Sequence, residues 1–197
     1  MSLELVNTFA TLGTFIVIAA TAIAALVQLR HLRAGNQVTA MISIGNQFDD
    51  KTFREAVYLV PKVTEALENE DFRNLIVAIS RRRPRPQVPQ EITDLNRALV
   101  LVGNFYEELG ILVKNEAIDK DLVLDRWSAN ITGAWERMAR YIAWARKCSN
   151  SDLVYENFEY LVVLAEDWLE RYAGGTYPKG MRRLTMPDTW PFPPDTD

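Results

Sequence analysis

Cysteine and histidine are nearly absent from this chain of 197 residues, which contains one of each, Cys148 and His31. A single cysteine excludes an internal disulfide framework and a four-thiolate zinc site. A single histidine excludes the paired Glu-x-x-His motifs of di-iron helical bundles, and Cys148 has no neighbouring base that would activate it as a nucleophile. We therefore expect no metal, no cofactor and no enzymatic activity.

Two further patterns are missing. Strict alternation of polar and apolar residues, which is typical of β-strands, does not extend over more than a few residues. There is no glycine-rich phosphate loop, since Gly174 and Gly175 precede a proline-containing segment and not a helix. Apolar residues recur instead at spacings of three and four, so the sequence predicts an all-α protein.

Charge is absent from a run of 25 residues, Leu5 to Leu29. As a helix, its centre from Phe9 to Val27 would be about 28 Å long, close to the thickness of a bilayer core. A buried helix of a soluble domain would show a polar face, and a cleaved signal peptide would have a basic amino-terminal region in place of Glu4. The run favours a single transmembrane helix over both alternatives.

Basic residues flank the run on one side only, beginning with Arg30 and Arg33. By the positive-inside rule, the amino terminus is outside and the rest of the chain is cytoplasmic. Within the run, Gly13, Ala20 and Ala24 are small, and the last two have the four-residue spacing that lets another helix approach closely. We expect these three residues to form a surface for packing within the membrane.

The rest of the chain divides by composition. Residues 81–90 contain three prolines and four arginines, so we expect an extended loop, the arginine loop, in place of a helix. Gly35 is expected to loosen the helix that leaves the membrane. The predicted organisation is a transmembrane anchor (1–30), membrane-proximal helices (31–80), the arginine loop (81–90), a helical bundle core (91–172) and a proline-rich extended tail (173–197).

The apolar spacing predicts that the cytoplasmic helices pack as an antiparallel bundle. The strongest series follows residue 90, and Gly103 and Gly110 lie seven residues apart on it, where a neighbouring helix is expected to approach closely. Asp119 is placed to cap the next helix. Thr52 and Glu55 have the spacing of a capping box before an earlier helix.

Charge is distributed unevenly along the chain. Residues 30–90 carry ten Lys or Arg and seven Asp or Glu (+3), whereas residues 91–172 carry nine and fifteen (−6). We expect the basic half to rest on the bilayer, with its arginines binding anionic lipid or an acidic protein. Nucleic acid is not expected, because the domain is acidic overall and the basic patch is small. The candidate lipid- or partner-binding residues are Arg30, Arg33, Arg81, Arg82, Arg83 and Arg85.

The tail contains Trp190 and Phe192 among prolines. An extended, proline-rich segment with aromatic side chains binds partners with little loss of conformational entropy. The sequence therefore predicts a partner-binding tail, and a disordered end is the alternative.

Adjacent carboxylates occur at Glu107 and Glu108. Neighbours on a helix point about 100° apart, so the pair does not form an acid–base dyad. A carboxylate that points into the bundle requires a partner, for which Arg137 and Arg140 of the following helix are candidates. We expect Glu107, Glu108 and Arg140 to be polar core residues with a structural role.

Three stretches resemble one known family: LVQLRHLRAGN, GNFYEELGILVKNEAIDKDLVLDRW and RYIAWARKCSNSDLVYENFEYL. Together they resemble the bacterial proteins of the uncharacterised family with domain of unknown function 4760, over most of residues 5–170. The resemblance implies one anchor in the bacterial inner membrane followed by a cytosolic helical domain. It implies no catalytic residues.

Two functions fit these features. The first is a non-enzymatic single-pass membrane protein whose helical domain is an interaction module or an accessory subunit of a larger membrane complex or homo-oligomer. The alternative is a membrane-tethered sensor or effector whose helical domain responds to a ligand. The sensor requires an apolar pocket with polar groups, for which Tyr106, Glu107, Trp127 and Trp135 are the candidates.

Overall fold

The computed structural model describes the backbone of residues 3–186, and their side chains except those of residues 3–6 and 10. All regular elements in this range are helices, so the all-α prediction is confirmed. The antiparallel order of the helices stays a prediction. The helices are α1 (Leu3–Asp49), α2 (Lys51–Leu59), α3 (Val63–Ala66), α4 (Glu70–Ser80), α5 (Gln90–Lys114), α6 (Lys120–Ser149) and α7 (Glu156–Arg171), with a 3-10 turn (Val60–Lys62) before α3.

α1 is one continuous helix of 47 residues. At 1.5 Å per residue it is about 70 Å long, more than twice the thickness of a bilayer core. The helix passes through Gly35 without a break. A single glycine disfavours a helix by only about 1 kcal/mol and does not end it.

The first half of α1 has the length and apolar composition needed to cross a membrane. Its side chains are exposed, including Phe9, Phe15 and Leu26. Two threonine hydroxyls in this half donate to carbonyls one turn earlier: Thr11 to Asn7 (2.9 Å) and Thr21 to Val17 (2.8 Å). Polar groups that are satisfied within the helix are what a hydrocarbon environment requires.

The last turns of α1 belong to the core of the helical domain. Ile44 is buried, and the Phe48 ring lies 5.9 Å from the ring of Phe105 and 6.1 Å from that of Trp127. Arg126 places its guanidinium beside Gly45 of α1 and over the ring of Trp127, at 4.7 Å. α1 therefore connects the apolar segment to the domain through packed side chains as well as through the chain.

Side-chain caps begin α2, α4 and α6. Asp50 Oδ1 accepts hydrogen bonds from the backbone N–H groups of Thr52 (2.8 Å) and Phe53 (3.2 Å). The predicted capping box at Thr52 is therefore wrong, because Asp50 supplies the cap of α2, and these N–H groups, that of Phe53 foremost, lower the pKa of Asp50. Asn69 caps α4, and Asp119 caps α6 as predicted.

α5 and α7 approach each other closely at two glycines. A Cβ atom on Gly103 would fall 2.6 Å from Cζ of Tyr155, and one on Gly110 would overlap the backbone carbonyl of Asn157. The predicted close approach at both glycines is confirmed. The side chains that fill the centre between the helices are Leu99, Leu109, Ile118, Ile131, Met138, Ile142, Phe158 and Leu161.

Candidate functional site

One end of the helical domain lies beside the part of α1 that follows the uncharged run. Arg33 Nη2 is 3.7 Å from Glu116 Oε2, in the turn between α5 and α6, and both side chains are exposed. The shallow groove around this pair is lined by Gln37, Val113, Lys114, Ile118, Asp119, Lys120 and Tyr160. We call residues 113–120 the proximal end, because Arg33 is four residues, about 6 Å of helix, beyond the uncharged run.

The arginine loop lies at the other end of α6. Arg81 Nε donates to the backbone carbonyl of Cys148 over 3.4 Å, and Cys148 is in the last turn of α6. α6 has 30 residues and is therefore about 45 Å long. We call this the distal end.

α1 and α6 leave the proximal end in the same direction, since Arg33 contacts Glu116 just before α6 and Phe48 contacts Trp127 further along it. The arginine loop is therefore remote from Arg33. The basic residues therefore do not form one continuous surface, and the binding of these arginines to anionic lipid or an acidic protein stays a prediction. Packing of α4 on α6 places the loop at the end of a long helix, although it follows α1 closely in sequence.

The arginine loop presents its charges to solvent. Arg81, Arg82, Arg83 and Arg85 are all exposed, and residues 81–89 have no helix, as predicted for 81–90, whereas Gln90 begins α5. Arg82 has a left-handed backbone (φ 52°), and the backbone N–H of Arg83 donates to the carbonyl of Ala78 over 2.8 Å. These contacts close α4 and direct the chain across the distal end.

A basic groove lies between the first turn of α4 and α6. Its volume is about 520 Å³, and the indole N–H of Trp144 on its wall is buried with no hydrogen-bond partner among the described residues. Arg140 lies here, exposed and 3.6 Å from Glu68. The prediction that Arg140 is a core residue is therefore wrong. The groove is lined by Leu67, Glu68, Arg73, Arg140, Ala143, Trp144 and Lys147.

Glu107 joins α5 to the start of α7. Its Oε2 accepts from the backbone N–H groups of Asn157 (3.0 Å) and Phe158 (2.8 Å), and its Oε1 accepts from Asn157 Nδ2 (2.7 Å). Lys114 Nζ donates to Asn157 Oδ1 over 3.2 Å. The carboxylate therefore pairs with a helix amino terminus, where its charge is favoured, and not with the expected arginines.

Glu108 has a different environment from its neighbour. Its side chain is exposed, on the rim of a groove of about 160 Å³ between α1 and α5. The prediction that Glu108 is a core residue is wrong, because the helix rotates it about 100° away from Glu107.

The pocket that the sensor hypothesis requires is filled. Phe158 stacks on Tyr106 at 4.8 Å and meets the edge of Trp135 at 5.2 Å, while Trp127 is buried behind Phe48. These rings occupy the space in which a ligand was expected to bind.

Cys148 is a packed thiol. It is 7% exposed, and burial raises its pKa despite the charges of Arg81 and Lys147. The thiolate, which is the reactive form, is therefore disfavoured. Among residues 3–186, no group of three His, Cys, Asp or Glu side chains is placed to hold a metal ion.

The remaining predicted site residues lie outside the helical domain. Gly13, Ala20 and Ala24 are on the exposed part of α1, and no other part of the described chain comes within 4 Å of a Cβ built on Gly13. Trp190 and Phe192 lie outside the described residues.

Sequence reasoning missed two residues of the α5–α7 contact, Tyr155 and Asn157. Tyr155 has a left-handed backbone (φ 57°) and provides no side-chain cap for α7. Only the glycines of α5 signalled the contact, and they identify a close neighbour without saying which residue it is.

Among the comparisons with known proteins, one gives a match. A family model described as Domain of unknown function (DUF4760) matches residues 15–168, from within the uncharged run to the last turn of α7. None of the curated proteins and none of the solved structures matches the chain. The matched range includes the α1 connection, the arginine loop and the Glu107 contact. The chain belongs to the DUF4760 family of domains of unknown function.

Proposed function

We propose that this chain is a non-enzymatic, single-pass protein of the bacterial inner membrane that binds another protein through its cytoplasmic helical domain. In this proposal α1 crosses the membrane with its amino terminus outside, and the domain serves as an interaction module or accessory subunit. The partner carries an acidic surface that meets the arginine loop at the distal end.

The observation that carries the proposal is the contact between Arg81 and Cys148. It holds the arginine loop about 40 Å along α6 from the residues beside Arg33. Lipid headgroups at the end of α1 are out of reach at that distance, whereas a protein in the cytoplasm is not. Charge complementarity with an acidic protein then accounts for four exposed arginines in five positions.

The surroundings of the loop support a protein partner further. The groove on α6 that includes Lys147, the neighbour of Cys148, combines cationic side chains with Trp144, and Arg and Trp are enriched where protein interfaces are strongest. The centre of the domain is filled, so binding at its surface requires no rearrangement of the core.

The test is purification from membranes in mild detergent at native expression, followed by mass spectrometry. We expect a stoichiometric partner with the wild-type chain and at least a tenfold lower yield of it, about 1.4 kcal/mol of binding, after Arg82, Arg83 and Arg85 are changed to Gln.

The matched control changes three exposed cationic residues elsewhere, Lys51, Arg54 and Arg97, to Gln. It keeps the same net charge as the test variant, so equal loss of the partner in both variants would remove the arginine loop from the proposal. A solitary monomer in the wild-type preparation would contradict the interaction function itself.

A further inference from the structure

The segment that follows the last helix, residues 171–186, differs in charge from the domain before it. It contains Arg171, Lys179, Arg182 and Arg183 and no Asp or Glu. The acidic residues of α7 end at Glu170. A basic segment of this kind is unexpected at the end of a domain whose charge is −6 over residues 91–172.

The same segment exposes large apolar side chains. Met181, Leu184 and Met186 are 65%, 67% and 73% exposed, and Tyr177 is 47% exposed. Apolar side chains that no other described residue covers, and that stand among cations, are typical of segments at a membrane interface.

The segment has local order that keeps these side chains outward. Arg183 lies over the ring of Tyr177 at 4.6 Å, and the Tyr177 hydroxyl donates to the carbonyl of Arg182 over 3.1 Å. Gly175 and Gly180 have positive φ angles of 84° and 82°, which turn the chain on both sides of Tyr177. Tyr177 is thereby held beside two of the four cations.

The direction of α7 brings the segment to the proximal end. Tyr155 packs on Gly103, Asn157 packs on Gly110, and Tyr160 reaches the groove beside Arg33. The first turns of α7 therefore reach from Gly103 to the α5–α6 turn, and Glu159 also pairs with Arg146 of α6 (2.7 Å). α7 continues for eleven residues beyond Tyr160, to Arg171, where the segment begins.

We propose that residues 171–186 lie on the headgroups of anionic lipids, at the surface of the same bilayer that α1 crosses. The proposal rests on the proposed membrane anchorage of α1. It assigns lipid contact to the proximal end and leaves the arginine loop for a protein. The basic side chains meet the headgroup phosphates, and Met181, Leu184 and Met186 enter the boundary with the acyl chains.

A lipid surface fits this segment better than an acidic protein does. Tyr160 of α7 lies in the groove beside Arg33, so a bilayer that holds α1 is close to this end of the domain and contact with it costs little translational freedom. Its apolar side chains follow an irregular chain and form no continuous groove or helical face for a partner helix. Anionic headgroups bind cationic side chains without requiring a fixed spacing between them.

The test uses the full chain in vesicles of phosphatidylcholine with and without phosphatidylglycerol. In a Cys148→Ala background, Thr185→Cys carries an environment-sensitive fluorophore between Leu184 and Met186. We expect a blue shift and at least about twofold less quenching by aqueous acrylamide when phosphatidylglycerol is present. High salt is expected to reverse both changes, because the contact is electrostatic.

Two controls accompany this measurement. Changing Lys179, Arg182 and Arg183 to Gln is expected to abolish the effect of phosphatidylglycerol. A label at Leu153→Cys, which is 70% exposed in the α6–α7 turn, is expected to stay accessible to acrylamide in both lipids.

Equal quenching of the Thr185 label in both lipids, whether high or low, would overturn the proposal. So would an unchanged lipid effect in the Lys179, Arg182 and Arg183 variant. The anchorage of α1 is tested separately, by whether the chain floats with the vesicles after alkaline extraction. A chain that floats without protection of Thr185 disproves the segment contact alone, and a chain that does not float disproves the anchorage.

Discussion

At the scale of single residues, α7 begins without a cap of its own. Its first N–H groups bond to Glu107 of α5, and the residue before the helix, Tyr155, has a left-handed backbone. A cap that comes from another helix ties the start of α7 to the position of α5. Glu107 therefore stabilises tertiary and secondary structure together.

Glu107→Gln is expected to lower the free energy of unfolding by about 1–3 kcal/mol. The amide keeps one acceptor but removes the charge that favours the helix amino terminus. Glu108→Gln is the matched control and is expected to change stability by less than about 0.5 kcal/mol, because Glu108 is exposed. Thermal unfolding followed by circular dichroism measures both, and equal effects would contradict the capping role.

Tyr155 makes stability depend on alkaline pH. Burial raises its pKa from 10.0 to about 12. Between these values the folded chain retains the phenol proton and the unfolded chain releases it. The unfolded state then binds fewer protons, so the free energy of unfolding falls as pH rises, by about 1.4 kcal/mol per pH unit.

Tyr155→Phe is therefore expected to flatten the loss of stability between pH 10 and 12. Tyr141, whose pKa burial also raises, keeps part of the slope. The exposed Tyr58→Phe serves as control and is expected to retain the wild-type slope. Urea unfolding at a series of alkaline pH values measures the free energy of unfolding of each variant. The same dependence on pH in both variants would contradict the role of Tyr155.

At the scale of elements, the α5–α7 pair depends on the absence of a side chain. Gly110→Ala is expected to destabilise the fold by about 1–3 kcal/mol, since its Cβ would overlap the backbone of Asn157, which has no rotamer to change. Gly133→Ala in α6 is the control. Its new Cβ meets only the flexible end of Arg137 at 3.6 Å, so we expect a gain of about 0.5–1 kcal/mol. Destabilisation of similar size in both variants would contradict this contact.

α1 is expected to behave as a rigid rod between the membrane and the domain. Spin labels at Val27→Cys and Asn46→Cys, in a Cys148→Ala background, are 19 residues apart and should give a narrow distance distribution near about 28 Å. Gly35→Pro is expected to broaden it, because proline removes a hydrogen bond of the helix. Gly35→Ala is the control. A broad distribution in the wild type would show that α1 bends.

The helices were easier to predict from the sequence than the contacts between them. Spacings of three and four identified α5, α6 and α7, and Asp119 marked the start of α6, because amphipathic periodicity and capping are local properties. The partner of Glu107 was not predictable, since the N–H groups that bind it come from a helix 50 residues later. Arg140 was misjudged for the same reason, as its partner Glu68 comes from the short α3–α4 connection.

At the scale of the whole molecule, the charges separate to two ends of α6. Arg33 belongs to the proximal end and the arginine loop to the distal end, and we propose that residues 171–186 join Arg33 at the proximal end. In the proposed arrangement the first group meets lipid and the second meets protein. This separation requires the domain to stand with its long helices leading away from the membrane.

The orientation is testable by thiol labelling of intact cells. Cys148 is too buried to report it, so the probe is Leu153→Cys in a Cys148→Ala background. With the domain in the cytoplasm, we expect an impermeant maleimide to leave Leu153→Cys unlabelled until the cells are permeabilised. Labelling of intact cells would invert the proposed topology.

The sequence by itself determined the helical class, the uncharged run long enough to cross a bilayer, the loop that its prolines keep from becoming a helix, and the close approach at Gly103 and Gly110. Each of these follows from residues that are neighbours in the chain. Only the tertiary structure decided that Glu107 caps α7, that Phe158 fills the expected pocket, and that the arginine loop and Arg33 lie at opposite ends of α6. These depend on contacts between distant segments, where packing, and not local preference, sets the distance.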